Sequence, residues 1–163
     1  MAATGTLLRR RLARAIDLWA LLGGLVLVAL VLVNVWAVVV GALGLAFAGD
    51  VELTEMGVAA AAFAFLPYCQ LHRQNVRADI FTQGAPRGLR RALDSAASAI
   101  ALGFAALLLW RMQAGLVDQM TYGYSSTILQ VPLWWVYVPI LVSLGLLLVA
   151  AAMTLLDDLR GEA

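Results

Sequence analysis

Apolar residues in this chain fall in four long runs rather than in stripes. The runs cover residues 16–45, 54–71, 92–117 and 133–156, with polar residues gathered between them. A helix on the surface of a soluble protein shows a polar face at every turn, and these segments have none. At about 1.5 Å rise per residue, a hydrocarbon core of about 30 Å requires about 20 apolar residues. Three runs meet that length easily and the second meets it narrowly. The pattern predicts an all-α integral membrane protein, with four transmembrane helices in a single domain over residues 1–163.

Composition agrees, with 63 % hydrophobic residues and a mean hydropathy of +0.90. Charged residues make up 13 % of the chain, against about 25 % in soluble domains. Their placement says more than their number. All eleven basic residues are arginines. Arg9, Arg10, Arg11 and Arg14 precede the first run. Arg73, Arg77, Arg87, Arg90 and Arg91 lie between the second and third, and Arg160 follows the fourth. Short loops rich in Arg stay in the cytoplasm, so both termini and the middle loop are expected there, with two short loops outside. The N-terminus has a basic segment and an Ala-x-Ala at Ala46 to Ala48, as a signal peptide would. A secretory core spans about 7–15 residues, and this run is about twice that, which favours an uncleaved first span.

Within this frame a few polar residues stand out. Asn34 interrupts the first run; an amide in hydrocarbon turns toward a neighbouring helix and hydrogen-bonds there. Asp50, Glu52 and Glu55 open the second run, where the positive end of a helix favours carboxylates. Glu52 and Glu55 are also spaced to share one helical face that a partner subunit could meet. Gly57 with Ala61, and Ala60 with Ala64, repeat small residues every four positions, a spacing that lets helices approach closely in lipid. Pro67 is expected to kink or end that helix. In the middle loop, Val76, Ile80 and Phe81 cluster on one side of a helical wheel. Arg73 and Arg77 are four apart, which predicts a short interfacial helix with these two arginines on lipid headgroups. Nucleic-acid binding is the weaker use of such arginines, given their place between two spans. Arg111 lies near the outer end of the third run with Asp118 seven residues on, where it can snorkel, pair with Asp118 or serve a function. Pro132, Trp134, Trp135 and Tyr137 mark the outer entry of the fourth.

Chemistry of its own is not indicated. Cys69 and His72 are each the only residue of their type, so neither a disulfide nor a metal or haem ligand set can form within the chain. Cys69 is expected to pack as a small apolar residue and His72 to be solvated at the boundary. Neither a nucleophile elbow nor a phosphate-binding loop is present. The carboxylates gather at membrane boundaries, whereas ion relays place ionisable groups inside spans. Catalysis and cofactors are therefore not expected.

From Glu52 to Asp79 and from Ile128 to Tyr137 the chain resembles the small membrane (Q) subunit of tripartite ATP-independent periplasmic transporters. The resemblance rests on Asn34 followed by Trp36, on Glu52 and Glu55, on the x-V-R-x-D pattern at Asn75 to Asp79, and on the L-x-x-P-L-W-W-x-Y stretch from Leu129 to Tyr137. In that family the position of Asn75 is often His, and an Arg-Tyr often follows the asparagine; both are absent here. The resemblance implies an inner-membrane subunit that joins a large multi-span permease and works with a periplasmic substrate-binding protein. Ion-gradient-driven uptake of organic acids is implied for the whole system, with the substrate and ion sites on the large subunit. The small subunit is then expected to brace the large one and to help dock the binding protein. Asn34, Glu52, Glu55 and Arg111 are the expected protein contacts. Two other readings stay open on the residues alone: a self-contained homo-oligomeric channel or exporter, and a membrane anchor for a redox enzyme, which the single histidine disfavours.

Overall fold

The computed structural model describes residues 2–45, 47–73 and 87–160. They form four helices: α1 (Ala2–Ala42), α2 (Asp50–Leu71), α3 (Arg87–Tyr122) and α4 (Trp134–Arg160). Three contain a stretch long and apolar enough to cross a membrane: Arg9–Ala42, Ala92–Tyr122 and Trp134–Leu159. α2 is not among them. Its 22 residues would extend about 33 Å, but Asp50, Glu52 and Glu55 at one end and Gln70 at the other dilute its apolar centre. The expected interfacial helix, Arg77 and the turn at Gly84, Ala85 and Pro86 lie outside the described residues.

The helix ends follow local chemistry more closely than they follow hydropathy. The first apolar run continues to residue 45, yet α1 stops at Ala42. Gly44 adopts φ 79°, and the Leu45 and Gly44 amides turn back onto the carbonyls of Val40 and Gly41 at 3.1 and 3.0 Å. This is a Schellman end, which glycine permits without Cβ strain. At its other end α1 is helical from Ala2, well before the apolar run. α2 carries Asp50 and Glu52 in its first turn, where the helix dipole favours them. Pro67 does not end α2: the helix continues to Leu71 with Pro67 buried inside it.

The helices pack in the order α1, α2, α4, α3, each mainly against its neighbours in that series. Small residues put α2 in the middle. Ala61 and Ala64 are buried, and a Cβ added to Gly23 of α1 would lie only 2.9 Å from the Ala64 Cβ. In lipid, close approach of this kind drives association, because apolar surface gains nothing by leaving apolar solvent. α1, by contrast, shows Leu18, Leu25, Val28, Leu32 and Val38 to the surroundings. Ion pairs from Arg9 of α1 and Arg73 beyond α2 to Asp157 and Asp158 of α4 set the start of α1 and the end of α4 at the same end of the molecule.

Candidate interaction surfaces and polar ties

Polar side chains concentrate at the two ends of the helix assembly. At the arginine-rich end the centre is Asp158, which is 1 % exposed. Arg73 forms an ion pair with it, and the Ser98 hydroxyl of α3 donates to its other oxygen at 2.6 Å. One carboxylate thus draws together α4, α3 and Arg73, which follows α2 by two residues. One turn back along α4, Thr154 accepts a hydrogen bond from Gln70 Nε2 of α2 at 3.0 Å, and both residues are buried. On the α1 side Arg9 pairs with Asp157. His72 Nε2 lies 2.9 Å from Asp17 Oδ1, with the His72 ring 4.3 Å from that of Tyr68. His72 is exposed, as expected, but it is also tied to α1.

Toward the middle, Trp19 of α1 donates its indole N–H to Ser143 of α4 at 2.8 Å. Ser143 in turn donates to the Pro139 carbonyl at 2.7 Å. Asn34 behaves as its polarity predicted: its Nδ2 donates to Leu30 O within α1 and to Thr54 Oγ1 of α2, both at 2.8 Å. The amide is therefore a tie within the chain, and the same geometry leaves it half-buried.

At the opposite end the organising group is Glu52. Its two carboxylate oxygens accept the backbone N–H groups of Ile128 at 2.8 Å and Leu129 at 3.0 Å. Those amides belong to the loop between α3 and α4. The loop is further folded by hydrogen bonds from Ser126 N to Val131 O at 2.9 Å and from Leu133 N to Tyr124 O at 3.0 Å. The Leu129 N–H bond does most to hold the Glu52 carboxyl below its ordinary range; partial burial opposes it, and the Ile128 bond adds to it. Glu52 lies before the apolar stretch of α2, so this is an effect of the loop and not of the membrane interior. Glu55, expected to share its face, is exposed and stands apart from the loop contacts.

Arg111 is exposed on α3. Among the described residues it forms no ion pair, with Asp118 or otherwise. The structure thus brings Asn34 and Glu52 into ties within the chain and leaves Glu55 and Arg111 facing outward. Arg73, expected on headgroups, sets its guanidinium against Asp158 while remaining a quarter exposed. Ser98, Ser143 and Thr154 were passed over in the sequence. The signal was available, since polar residues within apolar runs seek partners across helices, the rule that singled out Asn34.

These ties hold helices and a loop together; among the described residues no group of acidic, histidine and cysteine side chains could hold a metal ion. With three helices long and apolar enough to cross a membrane, the chain has the construction of a helical membrane protein. Residues 27–161 match the family model of the DctQ component of tripartite ATP-independent periplasmic transporters. The chain belongs to this family, whose members are transport components and not enzymes. Neither a search of curated proteins nor a search of solved structures found a match to the chain.

Proposed function

We propose that the chain is the small permease subunit of an ion-gradient-driven uptake system for organic acids. It lies in the bacterial inner membrane with four crossings and both termini in the cytoplasm, α2 providing the crossing that its polar ends obscure. It braces a large multi-span permease subunit, and its outer loop helps dock a periplasmic substrate-binding protein. Glu55 and Arg111 contact protein outside the chain, whereas Asn34 and Glu52 support those contacts from within. Arg77 lies at lipid headgroups, with Arg73 at the same boundary backed by Asp158. The observation that carries this reading is the family match over 27–161. It is supported by the exposed apolar surface of α1 and α3 and by the outward-facing Glu55 and Arg111.

Purification of the tagged chain in mild detergent from its native host tests this directly. The expected result is recovery with one large polytopic permease. Recovery as a defined homo-oligomer without a second membrane protein would overturn the proposal and make the chain a channel candidate.

A further inference from the structure

Arg111 carries an inference about how the partner is recognised. Two contacts fix the register of antiparallel α3 and α4: Ser98 with Asp158, and Gly115, against whose Cα face the Tyr137 ring packs. One turn inward from Gly115, Arg111 is level with residues near 141 of α4. That is about two turns, or about 10 Å, inside Trp134 and the aromatic entry of α4. The side chain points away from the rest of the molecule. It belongs to an exposed stripe of α3 that also includes Leu93, Ile100, Phe104 and Leu107, which are 46 to 64 % exposed, and Asp118 farther out.

A guanidinium at this depth needs an acceptor, and none of the described residues supplies an ion pair. Hydrocarbon offers no acceptor and leaves the group to snorkel. A second copy of this chain is disfavoured by charge. Copies in one membrane share an orientation, so a two-fold axis along the membrane normal would set Arg111 opposite Arg111 and Asp118 opposite Asp118. Like charges would then meet at both levels. We infer that the exposed stripe of α3 is the docking face for the large permease subunit, which presents a carboxylate to Arg111 about 10 Å inside the outer boundary. This rests on the subunit reading proposed above. Arg111 selects the partner and sets the depth at which it docks, because a planar fork of donors accepts a carboxylate in one orientation.

The test uses the complete complex, coexpressed and recovered through a tag on this chain. A photo-activated benzoylphenylalanine replacing Leu107 is expected to cross-link to a permease helix. Arg111→Leu is expected to lower permease recovery about tenfold or more, as loss of a desolvated charge contact does. Arg111→Lys should retain most of it. Thermal melting of the isolated Arg111→Leu chain should match wild type, separating docking from folding. Arg111→Glu should regain recovery when an acidic residue of the cross-linked permease helix is changed to Arg. Adducts with lipid alone or with a second copy of the chain would overturn the inference. Undiminished recovery with Arg111→Leu would overturn it too, while leaving the subunit reading intact. Failure of the wild-type chain to recover a permease would overturn both.

Discussion

The two ends of this helix assembly are fastened by different means. At the arginine-rich end, side chains from separate helices meet one another: Asp158 gathers Arg73 and Ser98, Arg9 meets Asp157, and Gln70 meets Thr154. At the other end a single carboxylate, Glu52, holds a loop by its backbone amides. The first arrangement fixes where helices lie relative to each other. The second fixes the shape of one surface feature and leaves the helices to their packing. Disturbing the first should therefore lower the stability of the whole chain, and disturbing the second should loosen one loop.

The largest effect is expected at Asp158. Asp158→Asn leaves Arg73 with a neutral partner and weakens the tie to α3. Breaking a buried pair costs about 3–5 kcal/mol, and partial exposure of Arg73 places this case near about 3 kcal/mol. A lower thermal midpoint in detergent would register it, and an unchanged midpoint would remove the contrast between the ends. Next comes the seam that joins them. Gly23→Ala puts a methyl 2.9 Å from the Ala64 Cβ and is expected to cost about 1–3 kcal/mol by overpacking. Gly103→Ala, where a Cβ meets nothing within 4 Å, should instead be neutral or stabilising by up to about 1 kcal/mol through helix propensity. Equal melting of these two variants would show that α1 and α2 are not held by close approach.

Asn34→Leu removes the bond to Thr54 and should cost only about 0.6 kcal/mol, the average for such bonds in membranes. The smallest global effect is expected at Glu52, and its readout is local. In Glu52→Gln the Ile128 and Leu129 amides should lose protection in hydrogen exchange while the melting midpoint stays near wild type. The pH dependence has a definite sign. The folded-state carboxyl titrates below its ordinary 4.5, so its contribution is fully present above that value. It is lost as pH falls through the depressed folded-state value. Loop protection should hold at neutral and mildly acidic pH and fade below the usual carboxylate range, and Glu52→Gln should abolish that dependence.

Much of this architecture was legible because hydrocarbon demands long apolar helices, and the runs show them plainly. Asn34 was readable for the same reason, as an amide with nowhere to go but a neighbouring helix. The end of α1 was harder, since hydropathy continues past Ala42 while Gly44 turns the backbone. The role of Asp158 was missed because a carboxylate at a span boundary looks solvated in sequence. Its burial depends on Arg73 and Ser98, which are 85 and 60 residues away. Glu52 could be placed at a helix start from its spacing, but no local pattern connects it to amides 76 and 77 residues later. Long-range polar pairing is set by tertiary packing, and only the polarity of the participants is visible beforehand.

The role proposed for this chain is to support transport without performing it. Ion-gradient-driven uptake into liposomes is the most direct test, comparing the chain alone, the large permease with its binding protein, and all three components together. Uptake is expected with the three components together, little with the permease and binding protein alone, and none with the chain alone. Solute flux through liposomes containing only this chain would contradict it.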